Sequence, residues 1–320
     1  MVALAALATG SMMEAEVKIE RVPYGGWPNC YRIGNGEAEL IITSDVGPRI
    51  IRFGFVGGQN LFKEYAETLG KSGEGKWQLR GGHRIWAAPE DEVRTYAPDN
   101  GPVHVEVKDG VLIATEPPEP LTGFEKQITV KMAGAGADVE VRHRIKNTSA
   151  KPVEVAAWAL TMMAQKGMGI TGFPPRGKHP DVLAPTNPLV MWAFTDLSDP
   201  RLTFTKKYLV LRQDPENTVP NKLGHFNTDT WAAYLLGTDL FIKRSRAETG
   251  KAYPDLGCSF EIFTRNDMLE METLGPILQL GPGQALEHLE HWSLHKGVKV
   301  SALTDAELDR VLLPLLGQSR

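Results

Sequence analysis

The sequence predicts an antiparallel all-β fold, and three observations carry that prediction. Apolar and polar residues alternate with period two over many short runs. Val103, Val105 and Val107 oppose His104 and Glu106, and Val139, Val141, His143 and Ile145 oppose Glu140, Arg142, Arg144 and Lys146. Turn formers separate the runs, as at Lys108-Asp109-Gly110, Ala133-Gly134-Ala135-Gly136, Asn147-Thr148-Ser149 and Gly281-Pro282-Gly283. Only one segment has helical spacing: Thr304 and Glu307 stand at capping-box distance ahead of Leu308, Val311, Leu312 and Leu315.

Taken in order, further β-rich runs fall at residues 39–43, 111–115, 128–132, 153–163, 208–212, 231–236, 240–243, 259–264, 268–274 and 286–294. The helix is expected over about residues 304–316, covering an end or edge of the sheets. The Gly/Pro-rich stretch 165–188 lacks a strand pattern and is expected to be a loop over one mouth of a site. No repeat or shift in composition divides the chain, so residues 17–320 read as one domain. Residues 1–16, apolar and small over the first thirteen, read as an extension or degenerate signal segment without a basic n-region.

The 35 basic and 39 acidic residues of the 320 are interspersed, for a formal net charge of −4, which excludes a nucleic-acid footprint or a polybasic membrane patch. No apolar run approaches the roughly 18 residues of a membrane span. A soluble protein is expected, with the cytoplasm favoured over an exported location. Cys30 and Cys258 follow no metal spacing and read as small buried hydrophobes. Neither metal nor cofactor is expected.

The densest chemistry lies at Arg80-Gly81-Gly82-His83-Arg84-Ile85-Trp86-Ala87, closed by Pro89 and Glu90. It puts a proton-transfer group, charged donors and an aromatic plate beside glycines that let a ligand approach the backbone. Gly167-Met168-Gly169-Ile170-Thr171-Gly172 matches a dinucleotide fingerprint, but Phe173-Pro174-Pro175 forbids the helix that would meet the phosphates. In residues 287–295, Glu287, His291 and His295 point to one strand face, and His288 and Glu290 join Trp292 and Leu294 on the other. A solvated face is expected there rather than a metal site. His143 reads as a core histidine. His179, with Arg176 and Lys178, lies in the long loop, within possible reach of a ligand. Glu270 and Glu272 project together from the otherwise apolar strand 268–274. On a partly desolvated face they would raise one another's pKa, making one a competent base.

These residues resemble a known family. Ser44-Asp45-Val46-Gly47-Pro48-Arg49-Ile50 and Gly58-Gln59-Asn60-Leu61-Phe62 are similar to the opening of galactose-mutarotase-like (aldose 1-epimerase) domains. Arg80-Gly81-Gly82 with Pro89 resembles the family's sugar-site segment, Glu272-Thr273 the strand presenting its catalytic glutamate, and Leu280-Gly281-Pro282-Gly283 the turn into its last strand. The matches keep their order over residues 37–295. The resemblance implies a β-supersandwich of two large, mostly antiparallel sheets that binds a small carbohydrate. It implies Glu272 as the base and His83 as the acid that open a pyranose and let it reclose as either anomer. Arg80, Arg84, Trp86, Glu90, Trp158, Glu270 and His179 would then bind substrate. The two arginines beside His83 suggest an anionic sugar such as a uronate or sugar phosphate. One departure stands out: Trp158-Ala159-Leu160-Thr161-Met162-Met163 has no histidine where these proteins usually carry a second one. A carbohydrate-binding domain of the same fold without turnover is therefore the alternative.

Overall fold

The computed structural model describes residues 16–318. The expected segment 1–16 lies outside the described residues except for Glu16. Alternating side chains give nearly every strand one apolar face, and two large antiparallel sheets bury those faces against each other. Across the first sheet, of 11 strands, the order is Lys18–Tyr24, Trp27–Gly34, Ala38–Thr43, Arg49–Phe55, His83–Ala88, Val153–Met163, Met268–Leu274, Phe260–Arg265, Asn221–His225 and Leu189–Met191. Leu278–Leu280 pairs with the start of Val153–Met163. The second sheet, of 10 strands, runs Leu202–Phe204, Tyr208–Arg212, Met168–Gly172, Asp229–Leu236, Asp239–Arg246, Ala285–His295, Val139–Asn147, Phe124–Met132, Val111–Thr115 and His104–Lys108.

The main core fills the space between the sheets. Ile50, Ile85, Ala159 and Met271 reach it from the first sheet, and Val141, Ile145, Phe241 and Trp292 from the second. At its centre Trp292 packs against Phe241 and Phe53 with ring centroids 5.4 and 5.8 Å apart. Cys30 and Cys258 are both buried and unpaired. No helix among the described residues is long and apolar enough to cross a membrane.

Two local expectations change. The stretch 165–188 is not all loop, because Met168–Gly172 is a strand inside the second sheet, paired on both sides. Its glycines provide close packing: a Cβ on Gly167 would lie 2.3 Å from the Tyr234 ring, and one on Gly172 2.6 Å from the Trp231 ring. The C-terminal helix, Asp305–Gln318, covers the outer face of the second sheet rather than its end. Leu308 and Leu312 are fully buried there against Ile170, Val210, Trp231 and Ile242. Thr304 caps it by accepting from the Glu307 amide at 3.3 Å, while the Glu307 carboxylate accepts from the Ser301 amide at 2.9 Å.

Candidate functional site

The strands His83–Ala88, Val153–Met163, Met268–Leu274, Phe260–Arg265 and Asn221–His225 lie side by side in the first sheet. Their alternate residues build a charged and aromatic cluster on its outer face, away from the core. Register fixes the arrangement: Arg84 pairs with Leu160, Leu160 with Glu272, and Glu272 with Glu261, while Trp86 pairs with Trp158. Two carboxylates therefore stand directly opposite each other, which is unfavourable without a cation between them. Lys222 supplies it, with Nζ 2.7 Å from Glu261 and 3.0 Å from Glu272. Glu272 Oε2 also accepts from Trp158 Nε1 at 2.8 Å. The ammonium lies over the Trp158 and Trp192 rings, 5.0 and 4.6 Å from their centroids. Arg84 stacks on Trp86 at 4.1 Å and reaches Glu270 at 3.5 Å. Trp77 and Tyr96 extend the aromatic patch, each about edge-on to Trp86, at 5.5 and 5.2 Å.

Burial sets the electrostatics. It pushes the Glu270 carboxyl up to about 7, with Arg84 opposing and Glu272 adding to the shift. Burial also holds Glu261 well above the ordinary carboxylate range, against the pull of Lys222. For Lys222, burial disfavours the ammonium, but Glu272 and Glu261 outweigh it and raise its pKa. Glu272 Oε1 and both Glu261 oxygens are buried with no well-formed hydrogen bond, as are Arg84 Nε and Nη1 and Trp77 Nε1. Such groups call for partners rich in hydroxyls. Arg84 also borders a void of about 10 Å³, the size of one water, shared with Asp99, Glu116 and Lys126.

The structure brings together Arg84, Trp86, Trp158, Glu270 and Glu272 and separates the others. His83 faces the core between the sheets, because it is the immediate neighbour of Arg84 on a strand, so it cannot act across a pocket from Glu272. Arg80 is a loop staple: its guanidinium donates to Thr68 O at 3.0 Å, Lys71 O at 2.9 Å and Asn100 Oδ1 at 2.9 Å, and pairs with Glu74 at 2.5 Å. Arg80 and Arg84 thus form no anion-binding pair. Gly81 and Gly82 serve chain packing, since a Cβ would lie 2.0 Å from Lys63 O or 2.4 Å from Ile50 O. Glu90 is exposed at the rim, accepting from Tyr96 Oη at 2.5 Å. His179 is exposed in the segment after Gly172 and hydrogen-bonds to none of the cluster among the described residues. Sequence reasoning missed Lys222, Glu261, Trp77, Trp192 and Tyr96. Glu261 carried a weaker form of the signal of Glu270 and Glu272, a single carboxylate in the mostly apolar strand Phe260–Arg265.

On the inner face of the same strands lies a second polar network. Glu290 accepts from Trp292 Nε1 at 2.8 Å, pairs with Lys243 Nζ at 2.7 Å and accepts the Thr273 hydroxyl proton. Thr273 has one proton, so the 2.8 Å contact with His288 Nε2 requires the imidazole to donate. His143 Nδ1 donates to His288 O at 3.0 Å, leaving its Nε2 to accept from His83 Nε2 at 2.7 Å. His83 Nδ1 then accepts from Thr161, which accepts from Lys243. The Thr273 hydroxyl fixes the tautomer of His288, and the His288 carbonyl fixes that of His143, which in turn fixes that of His83. Burial keeps all three imidazoles neutral, with His288 at about 3 and His83 and His143 below the ordinary value. Burial opposes ionisation of Glu290 too, but Lys243 holds its carboxyl below the usual range. The solvated face expected for residues 287–295 is therefore half wrong: His288 and Glu290 are buried. His83, His143 and Glu290 present ligand atoms within 4.8 Å of one another, yet a cation there would have to displace Lys243 and break the imidazole hydrogen bond.

No family model and no curated protein matches the sequence. Solved structures do match the fold. A candidate aldose 1-epimerase from Klebsiella pneumoniae superposes with a TM-score of 0.58 at 11% identity, covering 94% of this chain and 88% of that one. The Slr1438 protein of Synechocystis sp. gives 0.54 at 12% identity over 87% and 99% of the two chains. A galactose mutarotase-like protein from Lactobacillus casei gives 0.53 at 10% identity over 83% and 100%. At such identities the likeness shows architecture alone, and the architecture is the β-supersandwich of the galactose mutarotase-like proteins.

Proposed function

We propose that the outer face of the first sheet binds a neutral carbohydrate and interconverts its anomers. The observation that carries this reading is the placement of Glu272. Its Oε2 is held by Trp158 and Lys222, while Oε1 is buried and unpartnered beside Glu270, whose pKa is about 7. In this reading Glu272 Oε1 takes the proton from the anomeric hydroxyl as protonated Glu270 gives one to the ring oxygen. The C1–O5 bond breaks, the open-chain aldehyde rotates, and ring closure on either face returns both protons. A pKa near neutrality suits Glu270 to give and take a proton, the role the resemblance assigned to His83. The unsatisfied acceptors on Glu272 and Glu261 stand beside unsatisfied donors on Arg84 and Trp77, a mixture that suits hydroxyls, which both donate and accept, so a neutral sugar fits better than a uronate or phosphate. Trp86 and Trp158 are buried, which leaves the half-buried Trp77 and Trp192 to meet the sugar. Two of the structural neighbours, from Klebsiella pneumoniae and Lactobacillus casei, bear names that agree with this activity.

Exchange between anomers of aldoses, measured by NMR magnetisation transfer, tests the proposal. Glu272→Gln and Glu270→Gln should each slow it by about 10²–10⁴-fold. Exchange unaffected by either change refutes the assignment. A binding domain without turnover is the second reading, favoured because the cluster contains no histidine. Saturable tryptophan quenching by a sugar without exchange would establish it.

A further inference from the structure

A cavity of about 950 Å³ lies behind the outer cluster, on the other side of its central strands. It forms where two neighbours in the second sheet part. Asp239–Arg246 pairs with Ala285–His295 only from Leu240–His295 to Arg244–His291, whereas Ala285–His295 stays paired with Val139–Asn147 back to Ala285. Ser245 and Ala247 line one side of the split, Leu286 and His288 the other, and Ala157 and Gly275 of the first sheet close the inner end.

His288 is the polar group at that inner end. Its Nε2 is committed to Thr273, so its Nδ1 carries a lone pair, and no described residue donates to it. Gly275 keeps that atom accessible, since a Cβ there would stand 3.5 Å from His288 Nδ1 and 3.5 Å from Ala157 Cβ. The walls are apolar at Pro276, Leu278, Leu286, Leu289 and Leu316. The charges at the mouth are mostly matched: Arg244 pairs with Asp229 at 3.0 Å, Glu287 with Arg142 at 3.0 Å, and Arg246 and Glu248 are of opposite sign. Nothing here selects an ion, and the one deep polar atom asks for a donor.

We infer that this cavity is a second binding site, taking a neutral molecule with an apolar body and a hydroxyl group that donates to His288 Nδ1. Phenol, and toluene as its isostere without a donor, probe the idea in the full-length protein. Phenol should bind saturably and move the His288 Nδ1 resonance in long-range ¹H–¹⁵N spectra. The phenol-to-toluene affinity ratio should fall about tenfold in Gly275→Ala, whose methyl covers Nδ1 at ordinary contact distance, the loss expected for one hydrogen bond. His288→Phe should lower the ratio likewise, and if that variant does not fold, Gly275→Ala decides alone. A phenol titration that leaves the His288 resonance unmoved, or a ratio unchanged in Gly275→Ala, overturns the inference.

Discussion

At the scale of single residues, the interior ion pair has the largest expected effect. Lys243 and Glu290 are both fully buried, so removing one leaves the other charged and uncompensated. Lys243→Met should cost about 3–5 kcal/mol in urea unfolding, and Lys243→Met with Glu290→Leu should recover more than half of that. A double variant no more stable than the single one would contradict this account. The sequence made the shared face of Glu270 and Glu272 legible, because alternation in one strand suffices. It did not reveal Lys222, whose carboxylate partners come from strands about forty and fifty positions later. Likewise, alternation correctly set His288 and Glu290 beside Trp292, but the cation that makes burial tolerable sits on another strand. His83 and Arg84 were grouped by sequence proximity, and a strand separates such neighbours.

At the scale of elements, the segment between Arg49–Phe55 and His83–Ala88 carries Trp77 to the outer face, and Arg80 ties it down. Arg80→Ala should destabilise the protein by about 2–3 kcal/mol by removing the donor to the Thr68 and Lys71 carbonyls and to Asn100, and the partner of Glu74. It should also speed amide exchange over residues 65–80 and weaken sugar binding, though Arg80 touches no ligand in the proposed site. Exchange unchanged across that segment would show that the staple is redundant. The strand Met168–Gly172 was illegible because glycines flank its two β-branched residues, Ile170 and Thr171, while the Trp231 and Tyr234 rings that pack against Gly172 and Gly167 belong to a strand far along the chain. The helix was legible from its own spacing. Its docking face was not, since Ile170, Val210 and Ile242 declare nothing about what covers them.

At the scale of the whole molecule, the antiparallel all-β class was legible because period-two alternation and turn residues recur along most of the chain, whereas the division into two large sheets followed from the family resemblance. The molecule's buried titratable groups set the acid response. His83, His143, His225 and His288 are held neutral, His225 at about 4, while the unfolded chain protonates them below about 6.5, so each removes stability as pH falls. Glu116, Glu261 and Glu270 are raised by burial and bind protons first in the folded state. They therefore add stability as pH falls, until unfolded carboxyls protonate near about 4.3. With four histidines acting against three carboxyls, the opposing contributions should leave only a shallow decline in the urea midpoint from pH 6.5 to 4.5. Below about 4.3 the gain from the raised carboxyls ends, while the histidines still neutral in the folded state go on costing about 1.4 kcal/mol per pH unit each, His225 ceasing at about 4 and His288 at about 3, and the stability from depressed Glu290 is also lost. A steep decline that begins already at pH 6.5 would refute this balance. The central strands of the first sheet also carry two chemistries on one backbone: Arg84 outside and His83 inside, Glu272 outside and Thr273 inside. A slip of one residue in either strand would trade the outer-face set for the inner-face set. The interior hydrogen bonds of His83 and Thr273 thus act as a lock on register, holding Arg84 and Glu272 at the level where the outer face uses them.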